Sequence, residues 1–317
     1  MEEYKLSVAS SPHASSPVGT KNLMRDVLIA LIPALAMGIY VFGPRALTTT
    51  LVSVIFCEIF EWGYCKLMHK PNPCKDLSAA ITGVLLVFVC PVTLPYWMII
   101  IGDFFAIVVV KQLFGGLGYN FANPAIVGRI AMAMGFAGAM STYPHPESGI
   151  DALASATPLA VAGQLGPDSY ATLLLGTHGG VLGETCAIAL IIGGVYLIVT
   201  KVISPTIPVT YLATVAVLSL IAGKDPIYQL LSGGLLLGAF FMATDYVTSP
   251  TTTKGKLVFG IGLGIITCAI RFLGRMNEGV SFAILLMNLM VPYIEVLTRQ
   301  DRLGIAKVKK SKEGAAK

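Results

Sequence analysis

Asp151-Ala-Leu-Ala-Ser-Ala-Thr157-Pro-Leu lies at the centre of a segment, Ser141 to Leu182, that contains no Lys or Arg. The chain on both sides of it is apolar enough to lie in a bilayer. The segment therefore belongs outside the hydrocarbon, and it divides the chain into two similar halves. Of the 317 residues 55% are hydrophobic and 12% charged, and mean hydropathy is +0.76; soluble domains carry about 25% charged residues. This is the composition of a polytopic membrane protein. Crossing roughly 30 Å of hydrocarbon takes about 20 helical residues, and closed helices satisfy their own backbone groups there.

Ten spans are expected: Leu23 to Phe42, Leu47 to Leu67, Leu77 to Cys90, Tyr96 to Val110 and Pro124 to Met140, then Gly183 to Val202, Thr206 to Ala222, Ile227 to Thr244, Leu257 to Phe272 and Val280 to Leu297. The organisation that follows is a tail (1–22), a first five-helix repeat (23–140), the central loop (141–182), a second five-helix repeat (183–297) and a basic tail (298–317). With the N-terminus inward, Arg45, Lys224, Arg271 and Arg275 alone fall outward and Arg129 within a span; every other basic residue lies inward. Positive charge accumulates on the cytoplasmic side, so both termini are expected inside and the Thr157 loop outside.

The halves carry related signatures. Thr82-Gly-Val-Leu-Leu answers Ser232-Gly-Gly-Leu-Leu, and Gly102 to Gly116 resembles Gly260 to Gly274 in spacing. Five spans per half is an odd number, which turns the second half over relative to the first. The expected fold class is an all-α membrane protein of two inverted repeats, similar to urea channels, with a site at the repeat interface where short or glycine-interrupted spans meet. Those glycines serve close helix packing equally well.

Several function classes are excluded. The start lacks the basic and apolar regions of a removable signal. The six cysteines are scattered without a C-x-x-C pair, so spacing indicates neither a zinc site nor an iron–sulfur cluster. The net charge of +5 needs no nucleic-acid partner, because the C-terminal tail carries much of the excess. No dinucleotide G-x-G-x-x-G after a strand, P-loop or His-Glu-x-x-His is present, so NADH and ATP are handled elsewhere. Acidic residues inside spans are costly, and Glu58, Glu61, Asp103 and Asp245 need partners.

An Asp followed six residues later by Thr, with small residues between and Pro after, resembles the flavinylation site of the membrane flavoprotein family of Rnf and Na+-pumping NADH:quinone oxidoreductase complexes. Phe114-Gly-Gly-Leu-Gly-Tyr-Asn120-Phe-Ala-Asn123-Pro, Ser11-Pro-His13 and Met242-Ala-Thr-Asp245-Tyr-Val-Thr-Ser-Pro resemble that family as well. Ala154 and Ser155 depart from the family's Ser and Gly. The resemblance implies FMN joined through a phosphoester to Thr157, with Asp151, Ser155 and Ala156 around it. Only a hydroxyl forms that ester, although Ser-Ala-Thr-Pro taken alone is ordinary turn chemistry. It also implies a non-covalent riboflavin near Gly118, Asn120 and Asn123, whose amides match a ring of carbonyl and N–H groups. Asn123 before Pro124 equally reads as a helix cap. Arg129 is expected to neutralise a carboxylate or a flavin phosphate, and Asp103 and Asp245 are ion candidates, for Na+ or H+.

The implied setting is the bacterial cytoplasmic (inner) membrane. The implied partners are other membrane and peripheral subunits of an Rnf complex, including a covalent-FMN subunit and iron–sulfur subunits, which carry the ferredoxin and NAD+ chemistry. A solute channel without redox activity is the alternative reading, and a scaffold for catalytic partners is a third.

Overall fold

The computed structural model describes residues 19–70, 76–143, 169–176, 178–274 and 279–299. Asp151, Ser155, Ala156 and Thr157 lie outside the described residues, as do His13 and nearly all of the two tails. The described elements are helices: α1 (Thr20–Phe42), α2 (Pro44–Leu67), α3 (Ser78–Phe88), α4 (Tyr96–Phe104) running into a π-helical stretch (Phe105–Gln112), α5 (Pro124–Gly135), α6 (Ala137–Met140), α7 (Ser169–Leu175), α8 (Ala187–Val199), α9 (Thr206–Ile221), α10 (Pro226–Leu231), α11 (Leu235–Leu237) running into a second π-helical stretch (Gly238–Met242), α12 (Thr253–Leu273) and α13 (Val280–Thr298).

Helices α1, α2, α12 and α13 are long and apolar enough to cross a membrane. In α2 the apolar residues Leu47, Leu51, Ile55 and Ile59 are exposed at four-residue spacing, whereas Ser53, Cys57 and Glu61 are fully buried. A helix in water buries its apolar stripe. The reversed pattern identifies a helix whose outer face meets lipid, in a multi-pass membrane protein.

Several expected spans are broken or short. Helix α3 has 11 residues, about 16 Å at 1.5 Å per residue and half the hydrocarbon thickness. All 11 are buried, so its ends are surrounded by protein rather than lipid, the condition under which irregular backbone is tolerated at membrane depth. The eighth span is interrupted where Ser232 is extended and Gly233 takes φ 67°, and Leu235 to Met242 beyond the break are all buried. The fifth span breaks at Phe136, and the sixth starts at Ala187 instead of Gly183.

Arginines meet the carbonyls that these breaks release. Arg45 donates to Thr93 and Leu94 carbonyls at 3.0 and 3.3 Å, and Arg129 Nε donates to Val89 O at 2.8 Å. Arg271 donates to Gln229 O at 2.7 Å and Ser232 O at 3.1 Å. A guanidinium, charged at any relevant pH and carrying several donors, suits such carbonyl clusters. Thus Arg45 and Arg271, counted as outward loop charges, hold helix ends.

Packing follows these lengths. Helix α2 packs on α3 and α4, α9 on α10 and α12, α4 on α5, α12 on α13, α1 on α8, and α5 on α13. The α1–α8 crossing is close enough that a Cβ at Gly193 would collide with the Ala30 carbonyl. One continuous apolar core runs through both halves.

Candidate functional site

The turn that builds the site is Gly115-Gly-Leu-Gly118. Its three glycines have φ of 129°, 98° and 94°, a region that side chains with a Cβ rarely enter. The turn follows the first π-helical stretch, whose wide register is seen in Leu113 N donating to Val108 O at 3.0 Å. It closes with Gly116 N donating to Lys111 O at 2.9 Å, and so delivers Asn120 and Asn123 to the foot of α5.

There they border a chamber of about 860 Å³, its open mouth included, between the two halves. One wall comes from Ser78 and Thr82 of α3 with Lys111, and the facing wall from Phe240, Phe241 and the Thr244 to Val247 turn; Leu23 to Val27 of α1 and the end of α8 complete it. The walls are largely apolar, with a few convergent polar groups, the usual make-up of a small-molecule site.

The sequence candidates fare differently. Asn120, Asn123 and Asp245 come together at the chamber although 125 positions in sequence separate the first from the last. Gly118 shapes the turn. Asn120 donates to Ala122 O at 3.1 Å and to Asp245. Asp245 also accepts from Thr248 Oγ1 at 3.0 Å and from the Tyr246 and Val247 amides. Asn123 is the cap of α5: its Oδ1 accepts from the Ala125 and Ile126 amides at 3.1 and 3.5 Å, and its Nδ2 reaches Met242 O at 3.3 Å. Asn288 adds a second tie: with its amide oriented to suit its neighbours, it accepts from Asn123 N at 3.1 Å and donates to Thr248 O at 3.0 Å. Arg129 is not part of the chamber wall; it bonds Val89 O and the Ser281 hydroxyl, tying the end of α3 to the start of α13. Asp103 is buried between α2 and α4, where it accepts from Ser53 and Cys57 at 2.6 and 3.3 Å.

Sequence reasoning placed Lys111 among inward loop charges. It is instead 3% exposed, paired with Glu61 at 2.6 Å and bonded to Ser78 Oγ at 2.6 Å. Gln112 Nε2 adds a bond to the same Glu61 oxygen at 2.7 Å. The π-helical register turns both Lys111 and Gln112 toward α2. The available signal was the cost of Glu61 within an apolar helix, which demands a cation.

Known proteins share this chain's sequence along almost its whole length. The NQR2, RnfD, RnfE family profile matches residues 7–304. The chain is 45% identical over 98% of its length to the D subunit of the Na(+)-translocating ferredoxin:NAD(+) oxidoreductase complex of Acetobacterium woodii, 99% of which is covered. It is 38% identical to the D subunit of the proton-translocating ferredoxin:NAD(+) oxidoreductase complex of Clostridium ljungdahlii, over 94% of this chain and 96% of that one. It is 35% identical to the D subunit of the ion-translocating oxidoreductase complex of Alcanivorax borkumensis, over 94% and 97%. On near-full coverage by the profile and by these relatives, the chain belongs to the NQR2, RnfD, RnfE family.

Proposed function

We propose that the chain is the flavin-carrying membrane subunit of an Rnf-type complex that oxidises ferredoxin, reduces NAD+ and translocates an ion, Na+ or H+. The observation that carries this reading is the chamber between the halves, which gathers Asn120, Lys111 and Asp245 within apolar and aromatic walls in a chain of this family. Full-length similarity to the D subunits of three such complexes supports it. Ten spans in two inverted five-helix repeats, lying in the bacterial inner membrane with both termini inside, are part of the same reading. The packing supports the repeat, since α2 with α3 and α4 is matched by α9 with α10 and α12, and the α1–α8 and α5–α13 contacts join helices that would correspond.

The chamber's chemistry suits riboflavin. Asn120 and Lys111 would meet ring carbonyls and nitrogens, and Phe240 and Phe241 would lie against its apolar surface. A bound flavin supplies one- and two-electron redox chemistry. Asn123 contributes by fixing α5, its side-chain oxygen being committed to the cap. FMN esterified to Thr157, with Asp151, Ser155 and Ala156 beside it, rests on the sequence motif. Two flavins would divide an electron path that is too long for one hop across about 30 Å. The reducing and accepting partners would be the iron–sulfur and covalent-FMN subunits of the complex.

The test is flavin accounting on the purified chain. Fluorescence should persist on a denaturing gel and vanish in Thr157→Ala, while acid should extract a second flavin that Asn120→Leu loses. A fluorescent Thr157→Ala chain, or a wild-type chain that releases no flavin, would refute the corresponding assignment.

A further inference from the structure

Every fourth residue of α2 from Thr49 to Cys65 is polar or a thiol: Thr49, Ser53, Cys57, Glu61 and Cys65 are all at most 3% exposed. Residues four apart stand one above the other, so the file winds slowly about the helix, and 16 steps of 1.5 Å carry it about 24 Å, most of the hydrocarbon thickness. The facing residues are polar as well. Asp103 meets Ser53 and Cys57, Lys111 and Gln112 meet Glu61, and Cys65 Sγ lies 3.8 Å from Gln112 Oε1. Through Ser78, Lys111 joins the file to the chamber wall. Three more atoms of this seam, Thr49 Oγ1, Glu61 Oε2 and Asp103 Oδ2, are buried without a hydrogen-bond partner among the described residues.

The bonding around Ser53 accommodates one proton more or less. Its hydroxyl lies 3.0 Å from Gly83 O and 2.6 Å from Asp103 Oδ1, and its single proton serves one acceptor at a time. Two arrangements satisfy the site. With Asp103 ionised, Ser53 and Cys57 both donate to it; with Asp103 protonated, Asp103 donates to Ser53 and Ser53 donates to Gly83 O. One proton interconverts them with no movement of backbone. Cys57, Cys65 and the Lys111 ammonium, which stand along the same file, are not ligands that a hard cation takes.

We propose that the α2 seam is a proton-transfer file in which Asp103 takes up and releases the proton. Ser53 and Cys57 hold the two bonding states, and the Glu61–Lys111 pair closes the file toward the chamber. The inference rests on reading the chain as a subunit of an ion-translocating complex. Each proton bound at Asp103 from one aqueous side is matched by one released to the other, and no electron travels along the file. The charged or titratable groups facing Asp103 are Cys57 of α2 and, further along the seam, Lys111 and Glu61; α3 presents the Gly83 carbonyl, and α5 packs there through Gly128.

The experiment uses the whole complex in sealed vesicles, with an internal pH dye and a sodium probe, driven by reduced ferredoxin and NAD+. Asp103→Asn should lower protons moved per electron by roughly ten-fold or more, and Ser53→Ala should lower them too. The infrared difference spectrum of the wild-type chain should contain a protonated-carboxyl band that shifts in D2O and is missing from Asp103→Asn. If Asp103→Asn does not assemble, Ser53→Ala and Cys57→Ala carry the flux test, and aspartate isotope labelling of the wild type carries the spectrum. Unchanged proton movement in these variants overturns the proposal, as does a spectrum without the exchangeable band. A wild-type complex that moves neither ion refutes the translocation reading instead, and the spectrum still decides Asp103.

Discussion

The α2–α4 seam and the α9–α12 seam occupy matching places in the packing but are built from opposite materials. The first is held by charge and polar groups: the buried Glu61–Lys111 pair, Gln112, and Asp103 between Ser53 and Cys57. The second is neutral and close. Tyr211 and Thr267 share a 2.6 Å hydrogen bond, and a Cβ at Gly264 would press on the Thr214 side chain 2.5 Å away. One helix pair can thus be joined by shape and a neutral hydrogen bond, at little risk of leaving a charge stranded. The other incurs the desolvation of two charges. That cost is hard to explain by stability, which the neutral seam supplies without it.

Lys111→Met strands Glu61 and should have the largest effect, destabilising the detergent-solubilised chain by about 3–5 kcal/mol in thermal or denaturant unfolding. A loss comparable to an ordinary surface substitution would mean that the pair is not buried as described. Gly264→Leu overpacks the second seam and should cost about 1–3 kcal/mol by the same assay; a neutral outcome would show that α9 and α12 have room to separate. Tyr211→Phe removes one hydroxyl from that seam, and the expected loss is about 0.5–1.5 kcal/mol. The smallest net change is expected from Glu61→Gln combined with Lys111→Met. It removes both charges, and replacing a buried pair is often close to neutral. If the double variant were as unstable as Lys111→Met alone, packing rather than the stranded carboxylate would be the source of the loss.

The readable parts of this molecule were those with local causes. Apolar composition identified a membrane protein, and Asn123 before Pro124 announced a helix cap that Asn123 indeed makes with the Ala125 and Ile126 amides. Asn120 and Asp245 were each marked by sequence motifs, and the fold brings them to one chamber. What was not readable depends on partners remote in sequence. Glu61 and Lys111 are 50 residues apart, and the π-helical register that turns Lys111 inward leaves no trace in composition. Span lengths were overestimated for α3 and the α10–α11 region, because hydropathy does not distinguish a helix crossing lipid from a short one enclosed by its neighbours. The four-residue polar spacing of α2 was visible in the sequence, yet its meaning depends on which face the fold buries.

The ties across the two halves also set an order of events during synthesis. Asn123 needs Met242 O and Asn288, and Arg129 needs Ser281. The partners emerge 119 to 165 residues later, roughly 6–30 s at bacterial elongation rates of about 5–20 residues per second. Until then the nascent first half holds a buried-type amide and a guanidinium with these contacts unmade. The half-made protein should therefore be a good substrate for membrane quality control, and a ribosome that stops after α6 should yield a product that is cleared rather than one that waits.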